Sequence, residues 1–213
     1  MTETRVERKE RTRRAILDAT LGLCETQPLA ALSLRQVAKE VGIVPTAFYR
    51  HFESIEDLGL VLVDESFSSL RDLLRAARTF DTPPPNDRAL FHAVADNSVK
   101  ALVTHVPRAQ RHFRFIARER LAGPAPVREA VRHQLELIER ELATDIARVP
   151  GAGRWTTEDL RILANLLVSA MLTHAEELAL AGNRDDVVRR VETTARRQLR
   201  MVLIGALGWD SSR

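Results

Sequence analysis

The chain has 213 residues, with 32 Lys plus Arg against 29 Asp plus Glu and a formal net charge of +3. That length suits one or two domains with a real core, and a balance this even excludes binding nucleic acid by bulk charge alone. Its one cysteine, Cys24, excludes an intrachain disulfide and a cysteine-based zinc site. No apolar run approaches membrane-spanning length and the N-terminus has no signal-peptide core, which predicts a cytoplasmic protein.

Helical periodicity runs through the chain and no alternating strand pattern interrupts it, so the predicted fold class is all-α. Residues 1–7 are expected to be loosely ordered. A first helix follows from about residue 8 to 25, with Ala15, Ile16, Ala19, Thr20 and Leu23 on its buried stripe and Cys24 as a small core residue near its end. Its start carries Arg5, Arg8, Lys9, Arg11, Arg13 and Arg14, interleaved with Glu7 and Glu10. This is either a solvated helix end or a basic arm over a DNA backbone or minor groove.

Ser33 to Phe52, SLRQVAKEVGIVPTAFYRHF, is the most informative stretch. Ser33 and Gln36 have the spacing of a capping box. Leu34, Val37, Ala38 and Val41 make one apolar helical face, and Gly42 can take the left-handed conformation that ends a helix. Ile43 and Val44 are expected to plug the corner. Pro45 suits the first position of a second helix, running to about His51. Phe48 and Phe52 face inward, leaving Thr46, Ala47, Tyr49, Arg50 and His51 outside. Two short helices about a glycine turn make a helix-turn-helix, whose second helix can enter a major groove. Thr46 and Ala47 are small enough for close approach to base edges. Tyr49 and His51 can donate to phosphate, Arg50 can serve phosphate or guanine, and Arg35 is a second phosphate clamp. The alternative is an ordinary helical hairpin with a solvated face.

Ser54 opens a long helix, from about Ile55 to Arg78, that carries Leu58, Val61, Leu62, Leu70, Leu73 and Leu74. It is expected to be the mechanical link to the rest of the protein. DTPPPND at 81–87 is read as an extended spacer. About five helices follow. They run from about residue 88 to 105, from Pro107 to about 121, from a turn at Gly123, Pro124 and Pro126 to about 149, from a cap at Thr156 or Thr157 to about 181, and from about 185 to 207. The last two are long, amphipathic and separated by a two-residue break, so they are expected to pair antiparallel.

The run LSLRQVAKEVGIVPTAFYRHFESIEDL resembles the DNA-binding domain of the TetR family of bacterial transcriptional regulators. Two positions depart from the family pattern. Val44 stands where the recognition helix is usually capped by Ser or Thr, and Glu53 and Ser54 stand where a Lys is common. The resemblance implies that residues 1–53 bind DNA and that residues 54–213 form a ligand-binding and dimerisation domain of about six helices. Its DNA-contacting positions would be Ser33, Arg35, Gln36, Pro45, Thr46, Ala47, Tyr49, Arg50 and His51. It also implies a homodimer through the two C-terminal helices, double-stranded operator DNA as partner, and no membrane. A dimer would set two recognition helices in successive major grooves of a palindrome.

No phosphate-binding glycine loop, HExxH or Gly-x-Ser-x-Gly is present, so the chain is not expected to be an enzyme or to hold a metal or cofactor. Its six histidines are scattered. A ligand pocket between the later helices could be lined by Phe91, Val94, Phe113, Phe115, Ile116, Val131, Leu135, Leu163, Leu167 and Met171, unless these residues simply fill the core. Such walls favour an apolar ligand. Within the family, LSLRQVA, GIVPTAFYRHF, LGLVLVDES and FIARERLAGPAPVREAV are similar to the regulators of unsaturated fatty-acid synthesis that answer to acyl-CoA. That resemblance implies an acyl-CoA ligand, with Arg118 and Arg128 either as phosphate partners or as ordinary helix-surface arginines. The alternatives are a TetR-like multidrug sensor controlling an efflux gene, or a helical enzyme or scaffold with an incidental helix-turn-helix.

Overall fold

The computed structural model describes residues 4–79, 86–149, 152–182 and 184–211, and it is all-α across them. The helices are α1 (Arg5–Leu23), α2 (Leu34–Val41), α3 (Pro45–Phe48), α4 (Ile55–Ala77), α5 (Asp87–His105), α6 (Gln110–Ala122), α7 (Ala125–Ala147), α8 (Thr157–Ala181) and α9 (Asp185–Leu207). Of the expected spacer, residues 81–85 lie outside the described residues, while Asn86 caps α5 by accepting the Ala89 N–H at 2.9 Å.

Four local boundaries differ from the sequence expectation, the simplest being that the helix expected from Pro107 opens with a 3-10 turn over Pro107–Ala109 before α6. The chain is helical from Arg5, because Thr4 and Glu7 form a reciprocal capping box that satisfies two orphan N–H groups. α3 closes after Phe48, and the chain through Phe52 continues as tight turns in which the N–H groups of His51 and Phe52 bond the Phe48 carbonyl at 2.8 and 3.2 Å. Pro126 belongs to the first turn of α7 rather than to the preceding turn, since its missing N–H has no intrahelical partner there to lose.

The chain forms two compact units. The first comprises residues 1–68 and 111–132, and the second residues 69–110 and 133–213. α4 and α7 each contribute to both, so this partition by compactness differs from the functional division expected at residue 53.

In the first unit, Ile16, Leu17 and Leu21 of α1, Leu29, Val37 of α2, Phe48 of α3, Phe52, and Leu58 and Leu62 of α4 are buried. So are Phe113, Phe115 and Ile116 of α6, and Val127 and Val131 of α7. Burying each such side chain is worth about 1.5–3 kcal/mol, and this set of apolar residues is what holds so short a helix as α3.

A core in the second unit is drawn from four helices. Phe91, Ala95 and Val99 of α5, Ala143 and Ile146 of α7, Ala164 and Leu167 of α8, and Ala195, Leu199 and Leu203 of α9 cluster together. The small residues Ala95, Ala143, Ala164 and Ala195 allow close helix approach. α8 and α9 are antiparallel. The Trp155 indole N–H donates to the Trp209 carbonyl at 3.2 Å, and Arg154 donates to the Leu207 carbonyl at 2.7 Å, which ties the end of α9 to the start of α8. α8 is long and apolar enough to cross a membrane by length and composition, but Leu167, Leu172, Ala175, Leu178 and Ala179 are buried, as in a core helix.

Candidate nucleic-acid interface and ligand cavity

The helix-turn-helix is built from three local devices. The Ser33 side chain accepts the Gln36 N–H at 3.2 Å, and the Gln36 side chain accepts the Ser33 N–H at 2.8 Å, which fixes the start of α2. Gly42 ends α2 at φ 74° and ψ 30°, and the Ile43 N–H reaches back to the Ala38 carbonyl at 2.9 Å. This left-handed residue turns the chain sharply into Pro45 at the start of α3. Phe48 and Phe52 then anchor the second helix, with ring centroids 5.8 Å apart.

Arg35, Gln36, Pro45, Thr46, Tyr49 and Arg50 are all exposed, Tyr49 by 62 %, while Ala47 is half-buried. Ser33 is exposed but its hydroxyl is occupied by the cap, and the carbonyl oxygen of the Gln36 side chain is likewise engaged. Two expectations need correction. Val44 does not plug the corner but is 63 % exposed, because the N-cap position it occupies has extended backbone. His51 is half-buried rather than outward, and its Nδ1 is enclosed. Burial lowers its pKa, and Lys9, Arg13 and Arg50 add to that shift while Glu10 opposes it.

Arg13 has a role that the sequence did not disclose. Its guanidinium donates to the His51 carbonyl at 2.9 Å and lies 4.3 Å from the Phe52 ring centroid. It thus clamps the turn after α3 by a charge-assisted hydrogen bond and a cation–π contact. Arg14, its neighbour, binds Asp18 and Glu65 at 2.7 and 2.8 Å. Part of the expected basic arm is therefore scaffolding within the first unit. The partners are 38 residues apart for Arg13 and 51 for the Arg14–Glu65 pair, so no spacing rule could find them.

The second unit contains a cavity of about 390 Å³. Its walls come from Leu70, Leu73 and Leu74 of α4, Phe91 and Val94 of α5, Leu135, Ile138 and Leu142 of α7, Leu167 and Met171 of α8, and Leu199 and Leu203 of α9. Arg78 and Asp145 are the charged residues among its described lining, paired at 3.1 Å. Such a volume with so little polar lining suits an apolar molecule of drug or lipid size.

Residues 16–60 match the family model for bacterial regulatory proteins of the tetR family. Three solved structures share the fold at low identity. A protein of Pseudomonas aeruginosa PAO1 described as a transcriptional regulator is 17 % identical, with 93 % of each chain covered and a TM-score of 0.66. GusR of Salmonella enterica is 20 % identical, covering 90 % of this chain and 95 % of its own, at 0.65. The fatty acid degradation regulator FadR of Bacillus halodurans is 12 % identical, covering 94 % and 97 %, at 0.61. The chain is TetR-like in its N-terminal domain and in its fold.

The structure redistributes the predicted ligand residues of this TetR-like chain. Phe91, Val94, Leu135, Leu167 and Met171 line the cavity. Leu163 does not; it packs on the four-helix core. Phe113, Phe115, Ile116 and Val131 also do not line it, since they are buried residues of the first unit. They share apolar spacing with the cavity residues, and spacing carries no information about which body an apolar face joins. Arg118 is committed elsewhere, donating to the Cys24 and Glu25 carbonyls at 3.0 and 3.2 Å. Arg128 donates to the Gly123 carbonyl at 2.6 Å. Both arginines satisfy carbonyls where a helix ends, which gives each a structural role within the first unit.

Beside Arg118 lies Glu119, fully buried, whose Oε1 accepts the Leu29 N–H at 3.0 Å. Burial raises the pKa of Glu119, and burial likewise pushes the Cys24 thiol up to about 12, so Cys24 is an inert core residue.

Proposed function

We propose that this protein regulates transcription from the cytoplasm, binding a palindromic operator as a homodimer, with its DNA affinity set by an apolar ligand, of which a long-chain acyl compound is the best candidate. The observation that carries the DNA-binding reading is the exposed set Thr46, Tyr49 and Arg50 beside Arg35, held by a capped, glycine-turned helix pair. Thr46 at the start of α3 would meet base edges, while Arg35, Tyr49 and Arg50 would fix the helix on phosphates. The dimer reading is supported by apolar side chains left exposed on the last two helices, Ile162, Leu166 and Leu180 of α8 and Met201 of α9.

The acyl reading is supported by the lining of the cavity. Each buried methylene contributes about 0.8 kcal/mol. Several carbons of differential fit would therefore supply the roughly 5.5 kcal/mol that throws a two-state switch fully. That a protein of the same fold, FadR of Bacillus halodurans, is described as a fatty acid degradation regulator agrees with this reading. A multidrug sensor is the second reading, favoured by the same apolar walls. The described lining holds a single phenylalanine and no tryptophan or tyrosine, which is poor material for stacking on planar drugs.

The test is a DNA titration at fixed salt against the intergenic DNA upstream of the protein's own coding sequence, with and without saturated and unsaturated long-chain acyl-CoA. The expected result is specific binding that the two kinds of chain shift differently. Binding that ignores every acyl chain overturns the acyl ligand. Failure to select any operator from a random duplex library overturns the regulator.

A further inference from the structure

The apolar cavity has a charged end. Arg78 lines it, and Arg78 and Leu74 also line a neighbouring cleft of about 410 Å³, with Arg71, Arg75, Thr79 and Glu141. Arg71 and Arg75 in the last turns of α4 and Arg78 just past its end recur at helical spacing, on one side of the chain there. The acidic groups facing them are Asp72, which pairs with Arg75 at 2.8 Å, Glu141, and Asp145. Asp145 is held by two guanidinium groups, Arg78 at 3.1 Å and Arg148 at 3.4 Å. Arg71 donates to Gln134 at 3.2 Å. Among the described residues, the region thus sets four arginines against three carboxylates.

Resting on the reading that the cavity holds a ligand, we infer that the ligand is an anionic amphiphile, its apolar chain in the cavity and its negatively charged head at Arg78, with Arg71 and Arg75 beside it. The Arg78–Asp145 pair could in principle orient a head group of either sign. A cationic head would have to approach Asp145 between two guanidinium groups, where like charge opposes it. An anionic head meets Arg78, whose planar fork has five N–H donors and binds carboxylate or phosphate bidentately. When such a head takes Arg78, Asp145 keeps Arg148, so no carboxylate is stranded. A carboxylate and a phosphate ester fit this site by the same chemistry. The site lies in the second unit, whereas Arg118 and Arg128 lie in the first.

The test is calorimetric titration of the whole protein, without DNA, with alkyl carboxylates, alcohols and amines matched in chain length from octyl to hexadecyl. Each is used below its micelle concentration at one ionic strength. At the best-fitting length the carboxylate is expected to bind about tenfold tighter than the alcohol, with the amine weakest. Arg78→Gln should erase the preference for carboxylate over alcohol, and Arg78→Lys should restore part of it. Both variants should keep the thermal midpoint, because the Arg78 side chain is 41 % exposed. Adding the acyl-CoA of the same length separates the two anions: tighter binding assigns a phosphate head, and weaker binding a carboxylate. Equal binding of carboxylate and alcohol, or tightest binding of the amine, overturns the anionic head while leaving an apolar ligand site intact. No binding by any alkyl compound overturns the ligand site itself, and this inference with it.

Discussion

At the scale of single residues, Gly59 in α4 is an exacting position. A Cβ there would overlap the Leu29 side chain and come within 2.8 Å of Val127 Cγ2. Gly59→Ala should therefore destabilise the first unit by about 1–3 kcal/mol, the usual cost of overpacking, and urea unfolding followed by circular dichroism measures it. Arg50 tests the proposed DNA interface rather than the fold. It is exposed, so Arg50→Ala should leave the unfolding midpoint in place while weakening operator binding and lowering the slope of log affinity against log salt by about 1. An unchanged slope would remove Arg50 from the phosphate contacts. Two histidines give the first unit a pH dependence. Burial lowers the pKa of His51, reinforced by Lys9 and Arg13, and burial lowers that of His112, helped by Arg14 and opposed by Glu65 and Asp18. Above the ordinary value of 6.5 both groups are neutral in either state and contribute nothing. Below it the unfolded chain takes up protons that the folded chain resists, so stability falls with acid. The urea midpoint should therefore drop as the pH falls below about 6.5, and His112→Asn, whose amide can replace the imidazole Nδ1 that lies 3.1 Å from the Ser66 hydroxyl, should reduce that drop.

At the scale of elements, the turn between α2 and α3 depends on one backbone conformation. Gly42 has φ 74°, and a Cβ added there meets nothing within 4 Å. The cost of Gly42→Ala is therefore conformational alone, about 1–2 kcal/mol, and Gly42→Asn should cost less because asparagine tolerates the left-handed region. Denaturation of the two variants checks the order. This turn was legible in the sequence because its causes are local: Ser33 and Gln36 three apart, Gly42 at a helix end, Pro45 at a helix start. The Thr4–Glu7 box carries the same three-residue signal, so the early start of α1 was legible too, behind a run of charges that reads as a loose end. What could not be read is long-range. Glu119 reaches Leu29 across 90 residues, and Arg118 reaches Cys24 across 94. The stripe carrying Phe113 and Ile116 looks like the one carrying Leu135 and Ile138, yet the first is packed core and the second faces a cavity. Periodicity says that a face is buried and does not say whether the space beyond it is filled.

At the scale of the whole molecule, α4 carries Leu58 and Leu62 of the first unit and Leu70, Leu73 and Leu74 of the cavity wall on one unbroken helix. A ligand that favours one setting of α4 can therefore bias the domain that holds Tyr49 and Arg50, provided it binds the two settings with different affinity. Thermodynamic linkage then fixes a result that holds for either sign of regulation. If saturating ligand changes operator affinity by some factor, saturating operator must change ligand affinity by the same factor, in the same direction. The prediction is a closed cycle: ligand affinity measured with and without a short operator duplex should differ by the ratio found in the DNA titrations with and without ligand. Replacing Ser68 and Ser69 of α4 by glycine loosens the helix between its two sets of leucines, at roughly 0.5–1 kcal/mol each. It should shrink both ratios together while leaving binding of each ligand alone nearly intact. If one ratio shrinks without the other, ligand and DNA are not coupled through a single equilibrium. If neither shrinks, the coupling does not run through α4.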